Sequence, residues 1–234
     1  MQEIVIEERF RGPSKSANGG YITGLLSELI DGPAEITLKA PPPLETPLAL
    51  VPTDAGYEVR HGDRPVAVVR PGAYELEVPA APSPDAVDAA TARYNGRTGS
   101  PVPHCFVCGV ERAEGDALRI FTGPVEDRDL VAAPWVPAES LTGADGQVMD
   151  RYVFAALDCP GAWAWYGQTA GSMLLGRMVG QVTGKVRPGE RCTVMAWPIR
   201  MEGRKAYAGS AVLDSGGAVV ASGLATWIAV DNVS

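Results

Sequence analysis

The sequence lacks any long hydrophobic run. No apolar stretch reaches the roughly 18 residues that a membrane-spanning helix needs. Residues 1–9 have neither the basic start nor the long apolar core of a secretory signal. We therefore expect a cytoplasmic globular protein with no membrane partner. The hydrophobic fraction of 46% over 234 residues is sufficient for a buried core, in one large domain or two small ones.

Positive charge is also scarce. Twenty Lys and Arg residues stand against 28 Asp and Glu residues, which gives a net charge of -8. This balance argues against a nucleic acid as a partner. A ligand that carries phosphate would therefore need a local basic cluster, unless these residues are only solvated surface charges. The candidates are Arg204 with Lys205, Lys185 with Arg187, and the group Arg9, Arg11 and Lys15.

Cysteine and histidine are few, with four and two residues. The four cysteines do not form the dense framework of a disulfide-rich protein, so we expect reduced thiols. His104, Cys105 and Cys108 offer three metal-ligating side chains where a structural zinc site needs four. We therefore expect no metal and no other cofactor. Cys159 has no histidine beside it in the sequence to activate it as a nucleophile, so we interpret it as a buried thiol.

What the sequence does contain is an internal repeat. The apolar positions from Tyr21 to Ile30 recur with the same spacing from Val148 to Leu157. The spacing i, i+1, i+4, i+5, i+8 and i+9 forms one stripe on a helix. An Asp-x-Pro sequence follows each copy, beginning at Asp31 and at Asp158. The pattern predicts one core helix in each copy, ended by the proline.

The order of predicted elements around the helix is the same in both halves of the sequence. Each helix is preceded by a strand-like segment and followed by several alternating ones, with hairpin turns at 61–64 and 214–217. We predict an α+β fold of two helix-plus-antiparallel-sheet halves, related by a pseudo-twofold and forming one continuous sheet. The predicted units are an N-terminal half, a linker with a short helix around 84–94, and a C-terminal half: 1–80, 81–103 and 104–234. Residues 4–10 and 117–121 are among the predicted strands.

Several short motifs resemble those of hotdog-fold thioesterases. Phe10-Arg11-Gly12-Pro13-Ser14 with Gly19-Gly20 is similar to the N-terminal half of the acyl-CoA thioesterase II family. Residues 156–163 resemble the Leu-Asp-His-Ser-x-Trp motif of that family, and residues 206–210 and 217–222 resemble its closing hairpin. Separately, residues 104–109 are similar to the opening strand of small single-hotdog thioesterases. The resemblance covers both halves and implies a double hotdog.

The resemblance also implies a function. The resemblance implies that this chain hydrolyses a fatty or other acyl-CoA thioester at the interface of the two halves. It also implies that Asp158 corresponds to the aspartate that positions water in the family. A threonine and a glutamine assist that aspartate in the family, whereas here their positions fall near Trp197-Pro198 and near Ala225. The alternative is therefore a non-catalytic acyl-thioester-binding protein with a degenerate active site. A third reading, hydratase or dehydratase chemistry, would need a histidine at the helix start, where neither histidine lies.

The residues before the first helix are suited to bind a carbonyl oxygen. Asn18, Gly19 and Gly20 would present first-turn amides that have no partner inside the helix, and glycine permits a ligand to approach the backbone closely. Two helices paired about a twofold run antiparallel, so the start of one lies near the end of the other. We therefore expect these three residues to lie near Asp158 and to share the catalytic role with it.

Aromatic residues follow Asp158 closely. Trp163, Trp165 and Tyr166 are expected to bind substrate and to raise the pKa of the carboxyl group by removing water from it. The equivalent site in the other half would place Gly146 and Gln147 near Asp31, which lies in an Asp-Gly-Pro turn. We favour this second site less than the site at Asp158. A homo-oligomer of such chains is a further expectation.

Overall fold

The computed structural model describes residues 2–169 and 171–231. Within these ranges, eleven strands form one sheet, and four α-helices accompany it. The strands are β1 Gln2–Ile4, β2 Ala34–Leu38, β3 Leu48–Thr53, β4 Gly56–His61, β5 Arg64–Pro71, β6 Gly123–Pro124, β7 Val131–Trp135, β8 Ser172–Val182, β9 Cys192–Glu202, β10 Lys205–Leu213 and β11 Val219–Val230. The helices are α1 Gly19–Ser27, α2 Pro84–Ala92, α3 Asp150–Ala155 and α4 Asp158–Trp163. None of the helices in these ranges has the length and apolar character needed to cross a bilayer.

The sheet is continuous across the middle of the chain. Its order is β1-β3-β4-β5-β2-β8-β11-β10-β9-β7-β6, and neighbouring strands are antiparallel. Strands β2 and β8 join the two halves, with Ala34 opposite Gly180 and Thr37 opposite Arg177. Apart from the additional edge strand β6, the order reads the same from both ends when β1 to β5 are matched with β7 to β11. The prediction of an α+β fold with one continuous antiparallel sheet is confirmed.

Helices α1 and α3 pack against each other in opposite directions. A Cβ atom on Gly20, at the start of α1, would lie 2.7 Å from the carbonyl oxygen of Ala155, the last residue of α3. Just beyond the other end of α1, Glu28 accepts two hydrogen bonds of 2.8 Å from Arg151, near the start of α3. The helix pair and the facing strands share one hydrophobic core, which includes Ile22 of α1 and Phe154 of α3.

Gly24 allows this close packing, and its substitution should weaken it. A Cβ atom at position 24 would lie 2.2 Å from the carbonyl oxygen of Arg151, so Gly24→Ala must push the two helices apart. We expect the free energy of unfolding to fall by about 1–3 kcal/mol, the usual cost of overpacking. Urea denaturation measures this loss. Gly216→Ala, at an exposed turn with ordinary backbone angles, is the control, and equal stability of both variants would contradict the packing argument.

The prediction of a single helix over 148–157, ended by a proline, is wrong. Helix α3 ends at Ala155, the chain bends, and α4 begins at Asp158. Pro160 lies in the first turn of α4, where its missing N–H costs no hydrogen bond. The same missing N–H cannot bond to the carbonyl of residue 156, so the helix cannot continue straight through. Asp158 is therefore the first residue of a second helix and not the end of the first.

Two predicted strands are largely irregular. β1 ends at Ile4, and residues 117–121 form no strand, since Arg119 adopts a positive φ of 54° that interrupts extended backbone. The segment 104–121 is instead held by loop hydrogen bonds, among them the Phe106 amide to the Arg11 carbonyl. The hairpin at 61–64 is confirmed. The predicted short helix after residue 83 is also confirmed as α2, which buries Val87 and Ala90 beside β7.

Candidate active site

A cavity of about 560 Å³ opens between the start of α1, the loop before β6, helix α4 and the start of β8. Its lining is mostly apolar and contains no Lys, Arg or His within the described parts of the chain. Asp158 is the carboxylate among the lining residues. The cavity thus combines an apolar volume with one carboxyl group, which suits a ligand with an apolar portion and one reactive centre.

Asp158 is almost completely buried, with 2% of its surface exposed. Its Oδ2 atom accepts a hydrogen bond of 2.8 Å from Nδ2 of Asn18, whereas its Oδ1 atom has no partner. Burial, the largest cause, and the negative charge of Cys105 raise the pKa of Asp158 to about 7. The Gly20 amide and the Asn18 side chain favour the charged form and act in the opposite direction. One carboxylate oxygen is therefore held in place, and the other is buried without a hydrogen-bond partner.

Asn18 is fixed by the helix that it precedes. It is the N-cap of α1, and its Oδ1 atom accepts a hydrogen bond of 2.8 Å from the Tyr21 amide. This bond satisfies one of the unpaired first-turn amides and leaves Nδ2 directed at Asp158. The side chain is 2% exposed, so it has little freedom to turn away. Asn18 therefore transmits the position of α1 to the carboxyl group.

Two variants of Asn18 separate its role as the N-cap of α1 from its role as a hydrogen-bond donor to Asp158. Asn18→Ala removes both hydrogen bonds, whereas Asn18→Ser retains an oxygen that can cap the helix. Each should lose about 1–3 kcal/mol of stability because the buried Oδ2 atom of Asp158 loses its amide donor and keeps only the weak thiol donor of Cys159. The Ala variant should lose about 1 kcal/mol more, which is the usual contribution of the cap. Denaturation of both proteins in urea measures the difference, and equal stabilities would show that the cap contributes nothing.

The two glycines at the start of α1 lie against Asp158. A Cβ atom on Gly20 would be 2.3 Å from Cβ of Asp158, and one on Gly19 would be 3.5 Å from its Oδ1 atom. Gly19 lines the cavity, and as the first residue of the helix its amide has no partner within the helix. The structure therefore brings together Asn18, Gly19, Gly20 and Asp158, as the antiparallel arrangement of the helices predicts.

The aromatic candidates divide into two groups. Trp163 and Tyr166 line the cavity, and Tyr166 is 57% exposed at its edge. Trp165 does not line it, and our expectation that it binds substrate is corrected. Its side chain is buried in the core, and its Nε1 atom donates a hydrogen bond of 3.2 Å to the Tyr207 carbonyl. Because consecutive residues of a short helical segment face different directions, only some of this aromatic run can reach the ligand.

Arg204 and Lys205 do not line the cavity either, and their role in binding the phosphate groups of a substrate stays a prediction. They lie exposed at the turn between β9 and β10. Lys205 pairs with Ile228, which pairs in turn with Leu174 of the cavity lining. A role for these cations would require a ligand that extends beyond the cavity. At the mirror position, Asp31 and Gly146 are exposed and neither lines the cavity.

Two cysteines that sequence analysis grouped together and a third that it treated separately meet at this site. Cys105, Cys108 and Cys159 are free and buried, and all three line the cavity. Hydrogen bonds from the other two thiols and from nearby backbone amides lower the pKa of Cys105. The prediction that Cys159 is a buried thiol is confirmed. His104 is not part of the group, because its exposed side chain pairs with Glu111 at 3.3 Å. Sequence analysis considered Cys105 and Cys108 as possible metal ligands, but no feature of the sequence indicated that Cys159 joins them.

No protein-family model matches the sequence, and no curated protein matches it. Solved structures do match. A candidate thioesterase from Novosphingobium aromaticivorans superposes over 97% of this chain and 94% of its own length, with a TM-score of 0.62 and 12% sequence identity. The tesB protein of Mycobacterium avium subs paratuberculosis superposes over 91% of this chain and 86% of its own, with a TM-score of 0.57 and 15% identity. The chain has the fold of these thioesterases. At such low identities the likeness establishes the fold of almost the whole chain and no residue roles.

Proposed function

We propose that this protein is a thioesterase that hydrolyses an acyl thioester, with coenzyme A as the thiol, in the cavity beside Asp158. The observation that carries the proposal is the state of this carboxyl group. It is buried in an apolar cavity, one oxygen is held by Asn18, and the other has no partner. A carboxylate in this state can accept a proton from water, which is what hydrolysis requires. The shared fold with solved thioesterases supports the same chemistry.

The reaction would use the carboxyl group of Asp158 on one side and the backbone amide of Gly19 on the other. Oδ1 of Asp158 takes a proton from a water molecule while the oxygen of that water attacks the carbonyl carbon of the thioester. The amide of Gly19, at the positive end of α1, donates to the carbonyl oxygen as that atom gains negative charge. The carbon–sulfur bond then breaks, the proton passes from Asp158 to the thiolate, and a carboxylic acid and a thiol leave.

The cavity favours an apolar acyl group. Its volume of about 560 Å³ lies within the range of roughly 300–1,000 Å³ that is usual for small-molecule sites. Met173, Leu174 and Leu175 from the start of β8 contribute to the lining, together with Trp163 of α4. The phosphate groups of coenzyme A would lie outside this apolar volume, where they could contact Arg204 and Lys205, which are exposed at the turn between β9 and β10.

We also propose that the chain arose by duplication of one hotdog unit, which makes it a double hotdog. The palindromic strand order and the antiparallel pair α1 and α3 support this interpretation. In this proposal the halves are residues 1–80 and 104–234, joined by 81–103. The active site uses the junction, since Asn18 belongs to one half and Asp158 to the other.

A panel of acyl-CoA thioesters tests the proposal. Free thiol released over time should be proportional to enzyme concentration, and the rate should be higher for apolar acyl groups than for charged ones. Calorimetry on the same compounds detects binding without turnover. Binding with no release of thiol would favour the alternative, a non-catalytic binder, and neither binding nor release would contradict both functions.

A further inference from the structure

The three cysteines at the cavity come from two separate places. Cys105 and Cys108 belong to the loop before β6, and Cys159 belongs to the first turn of α4. Their sulfur atoms all lie within 4.8 Å of one another, and those of Cys105 and Cys159 are 3.5 Å apart. Each residue is at least nine-tenths buried. Buried thiols usually pack singly among apolar groups, so three in mutual contact require an explanation.

The spacing of these atoms matches a tetrahedral metal site. Zinc binds cysteine sulfur at about 2.3 Å, which places two sulfur ligands about 3.8 Å apart. The observed separations lie on both sides of this value, so small rotations of the side chains would bring all three atoms to one ion. Three thiolates also suit a soft ion of this class better than they suit magnesium or calcium, which prefer oxygen ligands.

The loop that carries two of the cysteines forms a tight turn between them. The Gly109 amide closes the turn by a bond of 2.9 Å to the Cys105 carbonyl. A Cβ atom on Gly109 would lie 2.5 Å from that same oxygen, so the turn requires glycine. This turn fixes the backbone that carries Cys105 and Cys108, two of the three clustered thiols.

We propose that Cys105, Cys108 and Cys159 bind one zinc ion, with the fourth coordination position open to the cavity. Asn18 cannot complete the set, because the atom that it directs to Cys105, at 3.5 Å, is the donor Nδ2. The Oδ2 atom of Asp158 is 3.8 Å from the Cys159 sulfur, so it is adjacent to the proposed ion. Three protein ligands with one open position are typical of catalytic zinc, whereas structural zinc has four. The proposal does not depend on thioester hydrolysis.

Metal analysis of the whole chain tests the proposal. The protein should be purified from zinc-supplemented cells with a tag that contains no histidine and without chelators, and its metal content measured by mass spectrometry. We expect about one zinc ion per chain, as for other thiolate sites. Cobalt added to the metal-free, reduced protein should give the sulfur-to-cobalt charge-transfer band and the intense visible bands of a four-coordinate ion. This spectrum uses the unmodified chain, so it remains decisive if a variant fails to fold.

Two cysteine variants locate the ion. Cys108→Ser should lose nearly all of the bound zinc. Cys192→Ser should keep it, because Cys192 is a buried free thiol on β9 and is not a member of the cluster. The proposal is overturned if the reduced protein carries no zinc and gives no charge-transfer band. It is equally overturned if a thiol count shows that the cluster forms a disulfide in the native protein. Hydrolysis by metal-free protein would overturn only a catalytic role of the ion and would leave the proposed function intact.

Discussion

Replacement of Asp158 by asparagine is expected to lower kcat for thioester hydrolysis by about 100- to 10,000-fold, the usual contribution of a general base. Asparagine has the same shape and can still accept the hydrogen bond that Nδ2 of Asn18 donates. It cannot take a proton from water. We therefore expect affinity for the acyl-CoA and the fold to be retained while turnover is lost. The measurements are thiol release under saturating substrate and calorimetric titration of the same compound.

Asp31→Asn is the matched control for this experiment. Asp31 follows α1 as Asp158 follows α3, but it is exposed and lies outside the cavity lining. Its substitution should leave kcat unchanged. If Asp158→Asn hydrolyses the substrate as fast as the unaltered protein, Asp158 is not the base. If Asp31→Asn also abolishes turnover, the choice between the two repeat positions is wrong.

Gly20→Ala should have the second large effect, because it changes the contact between the two halves of the site. The added Cβ atom would lie 2.3 Å from Cβ of Asp158 and 2.7 Å from the Ala155 carbonyl oxygen. Neither neighbour can move without shifting α3 or α4. We expect a displaced carboxyl group and a decrease in kcat of about 100-fold, as is usual for misplacement by 1 Å. The free energy of unfolding should also fall by about 1–3 kcal/mol.

Gly24→Ala supplies the comparison. It forces apart the same two helices, yet the nearest neighbour of its added Cβ atom is the Arg151 backbone. Arg151 lies near the start of α3, whereas Asp158 follows the end of α3. Both variants should therefore lose stability to a similar extent in urea denaturation, and the Gly20 variant should lose much more activity. Equal losses of activity would show that helix separation alone explains the effect and that close contact at Gly20 has no special part in it.

Sequence analysis predicted the features that depend on local periodicity. The repeated apolar stripe identified α1 and the region of α3, and the Gly-Asp turn at 61–64 identified a hairpin. The antiparallel pairing of the helices then followed from the repeat, and it placed Asn18 and Gly20 beside Asp158. These inferences needed only which residues are apolar and where the chain turns.

The features that the sequence did not predict depend on contacts between distant segments. Pro160 ends a helix in most contexts, and only the observed bend at residues 156–157 shows that it lies in the first turn of α4. The loop 104–121 contains alternating apolar residues that resemble a strand, but its backbone amides bond to Arg11, to residues just before the loop and to carbonyls within the loop itself. Cys159 joins Cys105 because this loop packs beside α4, which no local pattern of residues indicates.

The junction of β2 and β8 has a consequence for any attempt to divide the molecule. Asn18 and Asp158 lie on opposite sides of that junction, so a nick in the segment 81–103 would yield two fragments that each hold an incomplete site. Mixed fragments could regain turnover only by rebuilding the shared sheet edge. The amount of recovered thioesterase activity would then measure how many molecules had reassembled from the two fragments.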